Sequence, residues 1–121
     1  MNTKLLAVFT AAMFQLPVLS SAAFADADSN KLYNSARNQL GLIKYCAANG
    51  HISADATAGY EKIIAVLPVA ADSAESDKYE AEGANGNSYD GTEPVSIEQI
   101  ATATGSTIAA HCAQYEALTK Q

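Results

Sequence analysis

The chain has 121 residues, of which 49% are apolar, and its formal net charge at pH 7 is −6. This acidity argues against the clustered Lys and Arg side chains that phosphate-backbone binding requires, and against docking on anionic lipid head groups. We therefore expect no nucleic-acid partner, whereas cationic or neutral partners remain open.

The first 25 residues have the layout of a secretory signal peptide. Lys4 is followed by an apolar run over 5–19 and then by the small-residue sequence AFA at 23–25, the order of a basic, an apolar and a cleavage region. The run is shorter than the roughly 20 residues that a membrane-spanning helix needs, so a retained anchor is the less favoured alternative. We expect cleavage after Ala25 and a periplasmic or secreted protein.

Removal of these 25 residues from the 121 leaves a chain of 96, which is expected to form one small domain, 26–121. All three Phe belong to the signal peptide and the chain has no Trp, so the aromatic residues that remain are six tyrosines. The core must come from Ile, Leu, Val, Ala and tyrosine rings. A core with so few bulky side chains usually needs a covalent link or a partner surface.

The first half of this domain is predicted to contain two antiparallel amphipathic helices. Residues 30–48 and 53–67 both carry apolar side chains at steps of three and four. Gly50 ends the first helix and Pro68 ends the second. The predicted buried stripes are Leu32, Ala36, Leu40, Ile43 and Ala47 on the first helix, and Ala56, Tyr60, Ile63, Ile64 and Leu67 on the second.

Residues 70–94 differ in composition from the rest of the domain. They hold seven carboxylates and one Lys, and the part from residue 83 onward is rich in Gly, Asn and Ser. We predict a short helix over 72–82, then an acidic Gly/Asn-rich loop, with mobility throughout the segment.

The C-terminal part, 95–120, returns to helical spacing. Ser96 and Gln99 form a capping box, and a break is expected at Gly105 and Ser106. No stretch alternates with period two, so the predicted fold class is all-α, a small bundle of about four short helices.

The two cysteines lie on the first and last predicted helices. Two cysteines in an exported chain most often form one disulfide, so we predict a bond between Cys46 and Cys112. A redox-active pair would need C-x-x-C-like spacing, and an intermolecular disulfide or a nucleophilic free thiol are further alternatives. A zinc site with His51 and His111 is disfavoured, because adjacent side chains on a helix point about 100° apart. We predict no metal and no cofactor.

The acidic segment also offers hard oxygen ligands for a weak cation contact. Their order does not follow the alternating register of a calcium-binding loop, so a solvated acidic helix and loop is the simpler interpretation. No nucleophile elbow, phosphate loop or dinucleotide fingerprint occurs, and we predict that the protein is not an enzyme. The candidate cation contacts are Asp72, Asp77, Glu80, Glu82 and Asp90.

Spacing along the chain resembles two groups of known proteins. The stretches 41–46 (GLIKYC), 78–79, 83–86 and 97–112 together resemble the YjjA type of small exported bacterial proteins, whose function is unknown, so this resemblance implies no catalytic residue. The sequence IATATGSTIAAHC at 100–112 is similar to the closing helix of the HdeA-like acid-stress chaperones. That likeness implies a small, helical, periplasmic protein with one disulfide.

These observations predict a non-enzymatic exported protein that binds another protein of the cell envelope, with a chaperone-like role under stress. In this interpretation, acid neutralises the carboxylates of residues 72–98, relieves their mutual repulsion and exposes apolar helix faces. The alternative is a small-molecule or cation-binding protein that uses the same acidic segment, 72–98. Oligomerisation remains open.

Overall fold

The computed structural model describes the backbone of residues 16–120 and the side-chain surroundings of residues 27–120. The first helix, α1, spans Leu16–Ala48, so it begins well before the predicted start at residue 30 and crosses the predicted cleavage position after Ala25 without a break. Residues 1–15 of the predicted signal peptide lie outside the described residues. Cleavage itself stays a prediction.

Four shorter helices and two strands of two residues each follow α1, and the predicted all-α fold class is confirmed. Residues 16–120 contain five helices where about four were expected, because the predicted break at Gly105 and Ser106 divides the last helical region in two. The later elements are α2 (Asp55–Ile64), α3 (Ser73–Ala84), β1 (Asn87–Ser88), β2 (Val95–Ser96), α4 (Ile97–Ala103) and α5 (Ile108–Leu118).

The end of α1 has the hydrogen bonds of a glycine-terminated helix. Gly50 adopts a φ of 76°, a left-handed conformation that glycine adopts without steric cost. The Gly50 N–H donates to the Ala47 carbonyl at 3.1 Å and the His51 N–H donates to the Cys46 carbonyl at 2.9 Å, which is the Schellman pattern. The chain therefore turns directly after Cys46, and α2 folds back along α1.

Side-chain caps start α3 and α4, and the cap at Ser96 is one that the sequence predicted. Asp72 accepts hydrogen bonds from the backbone N–H groups of Ala74 and Glu75 at 3.0 and 3.2 Å. The Ser96 hydroxyl accepts from the Gln99 N–H at 3.1 Å. These caps fix the first turns of α3 and α4, whose N–H groups have no partner within the helix.

The larger apolar cluster lies between α1, α2 and the end of α5. Its buried members are Tyr33, Ala36, Leu40, Ile43, Ala56, Tyr60, Ile64 and Ala70. Of the predicted stripe on the second helix, Ala56, Tyr60 and Ile64 are buried, and Ile63 and Leu67 are partly buried.

On α1, Leu32 is 55% exposed, whereas the neighbouring Tyr33 is 9% exposed. The prediction of Leu32 as a core residue is wrong because the Tyr33 ring takes its place on the buried face of α1, which otherwise keeps the predicted Ala36, Leu40 and Ile43.

A smaller apolar cluster surrounds the cysteine pair between α1, α4 and α5. Its buried members are Leu42, Cys46, Ile97 and Cys112. Tyr115 packs against both clusters, so this half-buried ring on α5 connects them.

The described valines contribute nothing to the buried core, although the composition had suggested that they would. Val66, Val69 and Val95 are 80, 74 and 43% exposed. All three lie in connections between helices or in β2, where the backbone directs their side chains away from both clusters. Tyrosine and alanine fill the volume instead.

The segment 70–94, for which the sequence predicted mobility, packs closely over much of its length. Ala70, Ser76, Tyr79, Gly83 and Tyr89 are all buried. The backbone turns back after β1, and β1 pairs antiparallel with β2 through Asn87 opposite Ser96, a pairing too short to leave a period-two pattern in the sequence. Mobility stays a prediction, but the segment is not a simple solvated loop.

Candidate functional site

The most unusual contact in the described structure is the one between α1 and α3, which we call the α1–α3 seam. Its members on α1 are Asn34, Arg37, Asn38, Gly41 and Lys44, and its members on α3 are Ser76, Asp77, Glu80 and Gly83. Every position on this strip is glycine, polar or charged. A helix contact of this composition differs from the usual apolar helix interface.

Two glycines allow the helix backbones of the seam to touch. A Cβ atom on Gly41 would collide with the carbonyl of Glu80 and would lie 2.7 Å from the Ala84 nitrogen. A Cβ on Gly83 would collide with the carbonyl of Asn38 and would lie 2.7 Å from the Leu42 nitrogen. Each glycine therefore provides the space that the other helix occupies.

Hydrogen bonds between buried polar side chains and the opposite element replace apolar contacts in the seam. Asn34 and Ser76, exposed by 4 and 1%, are joined by a hydrogen bond of 2.5 Å from the Ser76 hydroxyl to the Asn34 carbonyl oxygen. Asn38 donates to the carbonyls of Tyr79 and Asn87 at 3.0 and 3.1 Å. These bonds satisfy groups whose burial would otherwise be costly.

Ion pairs flank the glycines of the seam. Arg37 donates to Asp77 at 2.8 Å and to Glu80 at 2.7 Å, and Lys44 donates to the second oxygen of Glu80 at 3.0 Å. The Glu80 side chain is 23% exposed, whereas that of Asp77 is 72% exposed. Because solvent weakens exposed pairs, Glu80 carries most of the electrostatic stabilisation.

The environment of Glu80 favours its ionised form. Burial opposes ionisation, but hydrogen bonds and charges from Lys44 and Arg37 outweigh it and hold the pKa of the Glu80 carboxyl below its ordinary value of 4.5. The carboxylate therefore remains charged until the solution becomes distinctly acidic.

Helix α3 takes part in neither apolar cluster. The buried members and the partly buried neighbours of both clusters come from other parts of the chain, and none lies in Ser73–Ala84. The residues that α3 buries are Ser76, Tyr79 and Gly83. Its attachment thus combines the seam with the burial of Tyr79, whereas α2 and α5 are held by the two apolar clusters.

The predicted disulfide is confirmed. Cys46 near the end of α1 and Cys112 on α5 are bonded, with their Cα atoms 5.7 Å apart, and both residues are 0% exposed. The alternatives of a free thiol, an intermolecular bond and a zinc site are excluded in this structure, since both sulfur atoms are used within the chain. His51 is exposed, and the His111 ring lies edge-on to Tyr115 at 5.4 Å.

The five candidate cation contacts are dispersed, and each has an internal role. Asp72 caps α3, Asp77 and Glu80 pair across the seam, Glu82 accepts a hydrogen bond from Asn87 at 3.0 Å, and Asp90 accepts one from the backbone of Thr92 at 3.0 Å. Among the described residues, no group of three or more His, Cys, Asp or Glu is arranged to hold a metal ion.

Sequence reasoning missed the polar members of the seam. A signal for them exists, because Asn34, Asn38, Gly41 and Tyr45 follow one another at steps of four, three and four and so form a second helical stripe beside the apolar one. Such a stripe of small and polar residues indicates a close helix contact only when the partner helix also carries a glycine, here Gly83.

Within residues 16–120, no helix is both long enough and apolar enough to cross a membrane. No protein-family model, no curated protein and no solved structure matches the chain. The resemblances described above therefore stay predictions, and a functional proposal must rest on the seam and its chemistry.

Proposed function

We propose that this protein is a non-enzymatic module of the cell envelope that binds other proteins and acts as a chaperone in acid. The observation that carries the proposal is the attachment of α3 to α1 through ion pairs and polar contacts, outside both apolar clusters. Such an attachment responds to pH, whereas apolar packing does not.

Acid weakens the seam at Glu80. The groups that face this carboxylate are Arg37 and Lys44 on α1, and Asp77 on α3 shares Arg37 with it. Because the pKa of Glu80 is lower in the folded protein than its ordinary value of 4.5, its stabilising contribution is present above that value and is lost as the pH falls through the folded pKa. Release of α3 is therefore expected below pH 4.5.

The structure changes the electrostatic part of the sequence-based mechanism. That mechanism had acid relieving repulsion among the carboxylates of 72–98. Asp77 and Glu80 instead face Arg37 and Lys44 at neutral pH, so protonation removes an attraction. The predicted direction, opening in acid, is unchanged.

Release of α3 would uncover aromatic and aliphatic surface suited to unfolded clients. Tyr79 and Tyr89 lie edge-on at 4.8 Å and are exposed by only 6 and 8%, and Leu42 on α1 is 1% exposed beside the seam. Tyrosine combines a large apolar ring with a hydroxyl, which suits contact surfaces. The bond between Cys46 and Cys112 would hold α1 and α5 together while α3 moves.

The proposal is tested by mixing the mature protein, 26–121, with an aggregating client at pH 3 and at pH 7. We expect suppression of aggregation at pH 3 and little at pH 7. In the variant Glu80→Gln, the seam is already without this charge, so suppression should begin at a higher pH. Glu61→Gln on the exposed face of α2 is the matched control.

Two results would reject the proposal. Absence of suppression at pH 3 by the wild-type protein would remove the chaperone function. An identical onset pH for Glu80→Gln, Glu61→Gln and the wild type would show that the seam does not control client binding.

A further inference from the structure

A polar cleft lies on the side of α1 next to the seam, between α1, α5 and the turn that follows β1. Its volume is about 220 Å³, which is below the roughly 300–1,000 Å³ of pockets for drug-sized ligands. A ligand held here would therefore be small. The residues used below are Ser35, Gln39, Leu42, Tyr89, Asp90 and Tyr115.

The wall made by residues 88–90 is fixed by one buried side chain on α1. Asn38, which also lines the cleft, donates to the Asn87 carbonyl at 3.1 Å and accepts from the Tyr89 N–H at 3.2 Å. The Tyr89 ring lies edge-on to Tyr79 at 4.8 Å. A wall held in this way is preorganised, so a ligand would not bear the cost of ordering it.

The cleft presents hydrogen-bonding groups of both kinds beside apolar surfaces. One oxygen of Asp90 accepts from the Thr92 N–H at 3.0 Å, which leaves the second oxygen as an acceptor. The Gln39 carbonyl accepts from the Tyr60 hydroxyl at 2.5 Å, and its NH₂ group retains two donor positions. The rings of Tyr89 and Tyr115 supply apolar contacts, whereas Leu42, which is 1% exposed, offers almost no surface to a ligand.

The local charges favour a neutral ligand. Among the described residues, Asp90 is the one carboxylate on the cleft wall and no Lys or Arg lines it, so the charge nearest to a bound anion would be negative. A cationic ligand would have to compete with two lysines that are already near. The Lys78 ammonium lies 5.3 Å from the centre of the Tyr89 ring. Hydrogen bonds from Thr92 lower the pKa of the Asp90 carboxyl, and the charge of Lys31 lowers it further.

We propose that this cleft binds a neutral polyhydroxy molecule of about monosaccharide size. Its hydroxyl groups would pair with Asp90, Gln39 and the hydroxyl of Ser35, and its C–H surfaces would lie against the tyrosine rings. This chemistry departs from the cation that the sequence suggested for Asp90. The site does not depend on release of α3 and is accessible at neutral pH.

The test is a titration of the mature ¹⁵N-labelled protein at pH 7, followed by the backbone amide signals. The probes are D-glucose, D-ribose and glycerol as polyols, putrescine and Ca²⁺ as cations, and acetate as an anion. We expect saturable shifts at residues 88–90 and near Tyr115 with at least one polyol, at a Kd on the order of millimolar for so small a ligand.

Variants connect the shifts to the cleft. Asp90→Ala should weaken polyol binding at least tenfold, and Asp55→Ala, which removes an exposed carboxylate on α2, should leave it unchanged. The proposal is overturned if no polyol gives saturable shifts, if the shifts map elsewhere, if putrescine or Ca²⁺ is the preferred probe, or if both variants bind equally. Because the titration is at pH 7, its failure would leave acid-dependent client binding unaffected.

Discussion

At the scale of single residues, Glu80 has the largest electrostatic role in the described chain. Its two carboxylate oxygens pair with different cations, Arg37 at 2.7 Å and Lys44 at 3.0 Å, so one side chain on α3 connects two turns of α1. Because the Glu80 side chain is only 23% exposed, loss of its charge removes the ion pair of Lys44 and leaves Arg37 paired with the exposed Asp77.

Glu80→Gln keeps the size of the side chain and removes its charge. We expect it to lower the free energy of unfolding at pH 7 by about 1–2 kcal/mol, since hydrogen bonds to charged groups contribute about that much. The difference from wild type should vanish below the folded pKa of Glu80, where both side chains are neutral.

Urea unfolding at pH 7 and pH 3 measures both values. The control Glu61→Gln should stay within about 0.5 kcal/mol of wild type at each pH, as is usual for exposed positions. An equal loss for the two variants at pH 7 would contradict the role assigned to Glu80.

Three tyrosines make the fold sensitive to alkali. Burial raises the pKa of Tyr60, Tyr79 and Tyr115 above the ordinary value of 10.0. The unfolded chain therefore ionises first, so stability is full below pH 10 and is lost as the pH rises through the folded pKa values. When tyrosinate absorbance is measured against pH, part of the increase should occur above pH 10 in a cooperative step. A single transition near pH 10 for all tyrosines would contradict this prediction.

At the scale of elements, the distance between α1 and α3 is set by Gly41 and Gly83. Gly41→Ala would place a methyl group against the backbone of α3, which cannot yield as a flexible side chain does. We expect a loss of about 2 kcal/mol or more in unfolding free energy, despite the gain of about 1 kcal/mol from the better helix propensity of alanine.

Gly59→Ala on α2 is the matched control, because its nearest neighbour would be the Thr119 carbonyl oxygen at 3.3 Å near the end of α5. Thermal unfolding should show a clearly lower Tm for Gly41→Ala and a small change for Gly59→Ala. Equal Tm values for Gly41→Ala and the wild type would contradict the close approach of the two helices.

The sequence predicted the elements better than their contacts. The helix over 72–82, the cap of α4 at Ser96 and the break at Gly105 follow from local chemistry, which a sequence displays directly. The burial of Asn38 does not, because its partners at Tyr79 and Asn87 lie 41 and 49 positions away. The wrong prediction of Leu32 as a core residue has the same origin, because the neighbouring helices determine which side chains of α1 are buried.

At the scale of the whole molecule, the disulfide compensates for a core that has few bulky side chains. Cys46 and Cys112 are 66 positions apart, and closing a loop of that length restricts the unfolded chain by about 4 kcal/mol in the chain-entropy model. The two apolar clusters have eight and four buried members among the described residues, five of these are Ala or Cys, and none is Phe or Trp, so the fold depends strongly on this bond.

Replacement of Cys46 and Cys112 by alanine together should therefore lower the Tm by more than about 15 °C, because a domain of this size loses about 4–8 °C for each kcal/mol. Alanine is preferred to serine, which would place hydroxyl groups in an apolar cluster. Calorimetry measures the change, and a variant that melts within a few degrees of the wild type would contradict the prediction.

The disulfide also shapes how the molecule can open. Helix α3 lies inside the loop that Cys46 and Cys112 close, so its release leaves the ends of that loop joined. Two apolar clusters and one covalent bond hold α1, α2, α4 and α5, while α3 depends on the polar seam. We therefore expect the molecule to open in two steps, and the release of α3 should require less free energy than the opening of the other helices.

Hydrogen exchange of the segment 26–121, resolved by residue at pH 3 and pH 6.5 and corrected for intrinsic rates, tests this central claim most directly. We predict that at pH 3 the amides of Ser73–Ala84 lose protection while those of α1 beyond residue 30 and of α5 keep theirs. Equal protection of α3 at both pH values, or loss of protection by all helices together, would contradict the account.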